Sequence, residues 1–548
     1  MSTRTAIRRY LAVAMAMACF APWRCAIPVH AQTNPAAQAT KSAAVSGSTA
    51  KVTKSARKRP DAALKRFTSR AEALLNVAPA SKGDWGILIV DAGSGETLYE
   101  QNADNYFVPA SNMKLLTTAL ALSKLGPDFR FHTTLESRAT ISADGILAGD
   151  LVLVGRGDPN LSNRKFPYEL KEEFDGPPER ALAELADALA AKGVHQISGD
   201  LVGDDSYFPR QRYPNGWEID DMVWEYGAAI SAIVVDDNTV ALTLTPGDLP
   251  GDPVLSAVAP VTPDFAVEND VLTSSTGTKS DLTLTRDPGA NLVVVKGTLP
   301  AKSNPRKLVL AIEEPAQHAA ALLKKLLEDR GIKVTGIARA QHVPLGTSDA
   351  PNVLAEHVSV PVGDSVKLVN KISQNLHTEM LLRTSARQSG VWSTPEDLAR
   401  FPEEFYATAG IAPGDVIQTD GSGLSRHDLV TPRALITLLN YAQKQPWFNF
   451  YFDSLPVAGI DGTLEDRMKN TPAVGKIHAK TGSLEHVRTR SGFADTVSGR
   501  RLIFSFMGNN QGAKGHEATD ALDGLCVAMI EEFNEAVAPK ASIKKKPH

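Results

Sequence analysis

The sequence predicts a mixed α/β (α+β) fold: an antiparallel sheet built from both chain ends and backed by helices, interrupted by a large inserted domain. Three observations predict it. Strand patterns occur near both termini, from Trp85 to Glu100 and again from Gly475 to Met507. Between about 140 and 350 the pattern changes to many strands with few helices. Inside that stretch a helix–glycine–strand unit recurs, with Gly193 and Gly331 standing 138 residues apart. A chain of 548 residues has room for several domains at about 150 residues each.

Each element has a local reason. Arg4, Arg8 and Arg9 precede an apolar run from Tyr10 to Pro22, shorter than the roughly 20 residues of a membrane span. Val29 and Ala31 suit the −3 and −1 sites of a signal-peptidase cut, so residues 1–31 read as an export signal to the periplasm. Residues 32–66, rich in Ala, Ser, Thr and Lys without periodicity, read as a disordered basic linker, and 536–548 as a basic tail. Order begins near Phe67 with a helix to Leu75. A hairpin follows, Trp85–Asp91 turning through Ala92-Gly93-Ser94-Gly95 into Glu96–Glu100. From Met113 to Leu125 an apolar helical face is marked by Leu116, Ala119, Leu120 and Leu122.

The insert starts near 141. Ala181–Lys192 and Ala316–Arg330 read as helices ended by Gly193 and Gly331 in left-handed C-caps, each leading into a strand. These units are expected at opposite edges of one α/β domain (141–244 and 306–349), around a nested β-rich domain at 245–305. The outer domain is then discontinuous, 67–140 with 350–535. Its second part has helices through Val369, Ile372, Leu376 and Met380 and from Pro432 to Gln443. Strands at Gly475–Thr481, Val487–Ala494 and Arg501–Met507 precede a last helix, Ala518–Phe533.

Charge and cysteine content exclude several classes. The net charge of −4 carries no nucleic-acid footprint. It conceals an acidic body, −19 over residues 67–539, between basic ends that can make weak electrostatic contact with wall polymer or membrane. After residue 31 only Cys526 remains, so no intramolecular disulfide forms, and its apolar setting suits a buried helix position. Neither HExxH nor CxxC occurs, and no metal or other cofactor is expected.

Three short patterns carry chemistry. Ser111-Asn112-Met113-Lys114 puts a hydroxyl and an amine on one face at a helix start. Serine needs a base within about 3 Å, and lysine serves only when neutral, through burial or a neighbouring cation. Ser373-Gln374-Asn375 offers a hydroxyl to relay a proton and an amide to hold a carbonyl. Lys480-Thr481-Gly482 on a strand offers a cation and a hydroxyl for a carboxylate, with Gly482 allowing a ligand backbone close to the edge. Alone, each has an ordinary reading: a helix N-cap, polar residues between helices, an exposed turn. Ser-x-x-Lys recurs at Ser55 and Ser542, in the basic ends. The joint occurrence in this order distinguishes them.

With Pro109-Ala110-Ser111-Asn112-Met113-Lys114-Leu115-Leu116, Asp420-Gly421-Ser422-Gly423-Leu424-Ser425-Arg426 and His478-Ala479-Lys480-Thr481-Gly482-Ser483, residues 70–535 resemble the class C low-molecular-mass penicillin-binding proteins. These are serine D-alanyl-D-alanine carboxypeptidases and endopeptidases with a DD-peptidase/β-lactamase-like fold. The 262 residues separating Ser111 from Ser373 match that family's two insert domains rather than a compact β-lactamase. No Glu-x-x-Leu-Asn pattern for a deacylating water lies between Ser373 and Lys480. Gln374 replaces the commoner Asp at a variable position. The resemblance implies muropeptide substrates and β-lactam inhibitors. It makes Ser111 the nucleophile, Lys114 its base and Ser373 a proton relay supported by Asn375 and Lys480. Lys480 is also a like charge favouring neutral Lys114. It assigns the oxyanion hole to the N–H groups of Ser111 and Ser483, and carboxylate binding to Lys480 and Thr481. Asp204, Phe208 and Arg426 become candidates for reading the peptide side chain, although Asp204 reads equally as a turn aspartate after a strand.

Overall fold

The computed structural model describes residues 62–262, 264–344, 350–391, 394–512 and 516–535. The expected signal, the tail and the linker up to residue 61 lie outside these. Helix α1 (Ala62–Leu75) begins inside the expected linker. It buries Ala63, Phe67, Ala71 and Leu75, spaced four residues apart, and that single apolar row explains its length. Arg66 and Arg70 pair with Glu532 (2.6 Å) and Glu531 (2.5 Å) on the last helix.

The central sheet joins both chain ends. Strands β1 (Asp84–Asp91) and β2 (Thr97–Gln101) form the expected hairpin. Helices α2 (Met113–Lys124), α3 (Val362–Ile372), α4 (Asn375–Gln388) and α5 (Pro432–Ala442) follow. Strands β3 (Ile477–Leu484), β4 (Val487–Asp495) and β5 (Arg501–Asn509) complete the sheet before helix α6 (His516–Glu532). The order is β2-β1-β5-β4-β3, every neighbour antiparallel, with Asp84 registered against Asn509. Ile87 and Ile89 of β1 face the core formed with α1 and α6, whereas Leu88 and Val90 face the core formed with α2 and α5. A strand covered on both faces reads as a continuous apolar run, which is why Trp85–Val90 shows no alternation. Cys526 is buried on α6, as expected.

The two helix–glycine–strand units stand side by side, not at opposite edges. Ala338–Gln341 pairs in parallel with Leu201–Asp204, which pairs in parallel with Leu151–Val154. Gly193 and Gly331 both have φ 79°. The helices Arg180–Ala191 and Pro315–Glu328 share one apolar core over this sheet, and helices on one face draw their strands together. His132–Ser137 and Asn352–Val358 complete the same five-stranded sheet. We therefore place the insert's junctions near 131 and 359 rather than at 140 and 350. The nested module is β-rich: two three-stranded sheets enclose Val240, Leu242, Val293, Val295 and Leu310. We set its limits at Thr239 and Ala311, the ends of its outermost paired strands.

Phe67 is fully buried, 5.0 Å from the Tyr99 ring centroid and 5.2 Å from that of Phe533. Phe67→Ala is expected to destabilise the protein by about 3–5 kcal/mol, read as a lower denaturation midpoint.

Candidate active site

The site lies where the N-terminus of α2, the α3–α4 junction and the edge strand β3 meet. Ser111 sits in a 3₁₀ turn, Ala110–Asn112, with Lys114 in the first turn of α2. Lys114 Nζ is 2.9 Å from Ser111 Oγ, 2.6 Å from Asn375 Oδ1 and 2.7 Å from the Ser422 carbonyl. The last two oxygens only accept hydrogen bonds. A neutral amine donates one N–H to each, and its lone pair then faces the Ser111 hydroxyl. Lys480 Nζ donates to Ser373 Oγ (2.8 Å) and to the Thr481 carbonyl (3.0 Å).

Tight packing fixes this geometry. Ala110 has φ 47°, a conformation that costs a non-glycine residue roughly 1–3 kcal/mol unless its surroundings impose it. They do so from two sides. A Cβ on Gly423 (φ 80°) would lie 1.9 Å from the Ala110 carbonyl, and one on Gly482 would lie 2.8 Å from that of Pro109. The missing side chain at Gly482 thus leaves room for the turn that carries Ser111. The loop holding Gly423 is organised by Asp420, whose carboxylate accepts from the N–H groups of Gly423 (2.6 Å), Ser425 (3.0 Å) and Leu424 (3.1 Å) and from Trp217 Nε1 (2.8 Å). Glu379 on α4 accepts from Gly421 N (2.6 Å) and Ser422 N (3.0 Å). These bonds aim the Ser422 carbonyl at Lys114.

Ser373 caps α3 with φ 64°, where the chain turns into α4. The insert supports this junction. The Tyr226 carbonyl accepts from Asn375 Nδ2 (2.8 Å). Asp237 accepts from Gln374 Nε2 (3.0 Å), pairs with His377 Nε2 (2.7 Å) and receives Arg164 Nη1 (2.6 Å). Although burial opposes it, the Arg164 guanidinium and His377 hold the Asp237 carboxyl well below the usual range. Asp236, Asp237 and Asn238 have φ 46°, 56° and 57°. Sequence reasoning missed this turn, and its signal was three successive Asx residues, which tolerate that region.

The profile of the D-Ala-D-Ala carboxypeptidase 3 (S13) family matches residues 69–529. The chain belongs to that family. Among its relatives, a D-alanyl-D-alanine carboxypeptidase of Actinomadura sp. (strain R39) is 32% identical over 473 residues, 84% of each chain. The D-alanyl-D-alanine carboxypeptidase DacB of Haemophilus influenzae is 28% identical over 426 residues, 76% of this chain and 84% of that protein. Of the solved structures, penicillin binding protein 4 (dacB) from Haemophilus influenzae superposes with a TM-score of 0.73 at 25% identity, covering 86% of this chain and 99% of that one. The expected fold class is therefore the observed one.

The other residues that the family resemblance had implied fall into two groups. Thr481, Gly482 and Ser483 line a cleft of about 260 Å³ together with Ser111 and Ser373, and Thr481 Oγ1 lies 2.7 Å from Thr463 Oγ1. Arg426, Asp204 and Phe208 are not brought to this cleft's walls. Arg426 bridges Glu218 Oε1 (2.5 Å) in the insert and the Glu485 carbonyl (3.1 Å) at the β3–β4 turn. Asp204 is committed to Ser206 N (2.9 Å) and Gln341 Nε2 (2.8 Å), which supports its reading as a turn aspartate. Phe208 is buried in the core, and an added Cβ on Gly157 would lie 2.6 Å from its ring. A core side chain has no face for a ligand.

Burial brings the Lys114 amine down to about 7, against the pull of the Asp420, Glu379 and Asp428 carboxylates. Lys480 is likewise lowered well below its ordinary value, by burial and then by the neighbouring Lys114. The neutral amine predominates above pH 7. Acylation by a β-lactam is expected to rise as Lys114 deprotonates and to level off above about pH 7, measured by stopped-flow; a rate falling through that range contradicts the assignment. Asp237→Asn leaves Arg164 paired with Glu172 (2.5 Å) alone and weakens the contacts to Gln374 and His377, and is expected to cost about 1.5–3 kcal/mol of stability, read by denaturant titration.

Proposed function

We propose that this serine D-alanyl-D-alanine carboxypeptidase, which also acts as a DD-endopeptidase, cleaves peptidoglycan stem peptides and cross-links through an acyl-enzyme on Ser111. The observation that carries this reading is the Lys114 amine, held by two obligate acceptors with its remaining position on Ser111 Oγ. Ser111 passes its proton to Lys114 as Oγ attacks the carbonyl of the penultimate D-Ala. The N–H groups of Ser111 and Ser483 receive the developing oxyanion; losing such a donor costs on the order of 10²–10³ in rate. Ser373, bonded to Lys480, carries a proton to the leaving amine, and Asn375 steadies the acyl part. Lys480 and Thr481 hold the terminal carboxylate. The proton that Ser373 delivers is made good by the one Lys114 took from Ser111. Water then attacks the ester carbon and loses a proton to Lys114, which hands it to Ser111 Oγ as the acyl–oxygen bond breaks.

A β-lactam follows the first half of this path, but its amine stays tethered and blocks the water. The Haemophilus influenzae penicillin binding protein 4 has been solved complexed with a β-lactam, and a fold matching it at TM-score 0.69 supports the same trapping here. Among the described residues no helix is long and apolar enough to cross a membrane. The basic, apolar pattern of residues 1–31 supports export to the periplasm, where the substrate lies. Benzylpenicillin is expected to add its full mass to the protein, with the adduct mapping to the Ser111 peptide. Ser111→Ala is expected to abolish the adduct and to lower D-Ala release by at least about 10³-fold. An adduct on another residue, or undiminished release, overturns the reading.

A further inference from the structure

The catalytic cleft contains a cation that the mechanism above does not use. The cleft is lined by the ends of β3 and β4 and by Thr519 and Leu522 of α6. Between these strands Thr481 is registered against Arg490, and Ser483 against Arg488. Opposed residues of an antiparallel pair share a face, their Cβ atoms about 4.5–5.5 Å apart. Arg490 is neutralised by Asp523 at 2.6 Å. Arg467, which also lines the cleft, is neutralised by Asp523 (2.6 Å) and Asp520 (2.8 Å). Arg488 differs. Its Nη1 donates to the Leu484 (2.6 Å) and Val487 (2.7 Å) carbonyls, which fixes the guanidinium plane. Among the described residues no carboxylate pairs with it. It is half-buried, and desolvation without a compensating acid lowers its pKa. A partly desolvated arginine, anchored at one end and facing a cleft without its counter-ion, is a carboxylate receptor.

We propose that Arg488 is a specificity-determining residue that binds a second carboxylate, carried on the side chain of the leaving group. The leaving amino acid of a cross-link then outcompetes D-alanine when its side chain is long and anionic. Two features favour this over the α-carboxylate common to all substrates. Arg488 stands across from Ser483, two register pairs along from the Thr481 position assigned to the α-carboxylate. Arg488, Ser483 and the α6 residues Thr519 and Leu522 also line one cleft of about 260 Å³ with Ser111, a space larger than an alanine methyl fills. The inference rests on Ser111 being the nucleophile of a carboxypeptidase.

The test uses the full-length enzyme and three substrates sharing one acyl part, ending in D-Ala-D-Ala, D-Ala-D-glutamate and D-Ala-D-glutamine. The wild type is expected to prefer D-glutamate over the isosteric D-glutamine by about tenfold or more in kcat/KM, the scale of a hydrogen bond to a charged group. Arg488→Gln is expected to bring that ratio close to one. Equal use of the two substrates by the wild type overturns the proposal. So does an unchanged ratio in the variant, including the case where all three substrates slow together, which would mark an α-carboxylate or acyl-side role. If Arg488→Gln no longer takes up penicillin, Arg488→Lys is read instead: a ratio falling part-way supports the bidentate contact, and an undiminished ratio overturns it. If the wild type releases no amino acid from any substrate and takes up no penicillin, the carboxypeptidase reading itself fails, which is distinguishable from loss of the ratio alone.

Discussion

The site depends on where one amine finds its hydrogen bonds. Lys114 is buried, and a buried cation without a paired acid is costly, so the amine sheds its proton. A neutral amine has two hydrogens and one lone pair. The Asn375 amide oxygen and the Ser422 carbonyl take the hydrogens, leaving only Ser111 for the lone pair. Every other feature of the site keeps those acceptors in place. Asp420 and Glu379 tether the loop that carries Ser422, and the left-handed turn at Ser373 sets the start of α4, which carries Asn375.

The insert takes part in this constraint. Asn375 is steadied by the Tyr226 carbonyl, and Gln374 and His377 converge on Asp237. Both supports come from the inserted polypeptide. A buried ion pair adds little net stability against an apolar alternative, yet it fixes geometry well. The Arg164–Asp237–His377 cluster supplies that service to a helix junction whose backbone would otherwise relax. A second buried pair, Lys371 with Asp461 (2.6 Å), ties the end of α3 to the segment preceding β3.

What the sequence disclosed followed physical periodicity. The apolar row of α1, the hairpin, the closing strands and both glycine-capped helices were legible because local pattern dictates them. The three motifs that meet at the candidate site were legible because the chemistry proposed for them requires particular side chains. What stayed hidden depends on the backbone or on long-range company. The Ser422 carbonyl has no side-chain signature, and Asp237 matters through partners at 164, 374 and 377. The roles of Asp204 and Phe208 were inferred by resemblance, and neither residue lies on the cleft's walls. We place the insert's boundaries outside 140 and 350 because His132–Ser137 and Asn352–Val358 pair across a gap of more than two hundred residues, which no local window registers. Arg488 belongs to none of the three motifs, and its place opposite Ser483 comes only from the strand register.

The central sheet has a consequence for assembly. One of its interior contacts is β1 against β5, so a strand near the start of the chain waits for one made near the end. Closing so long a loop is slow compared with local pairing. The insert, by contrast, is contiguous and carries its own apolar cores, so it can mature while the catalytic half is still unfinished. On this order of events the completed insert offers Tyr226 and Asp237 as a ready surface, and α3 and α4 settle onto it before the final strands arrive. Maturation of the catalytic machinery would then be templated by the polypeptide that interrupts it.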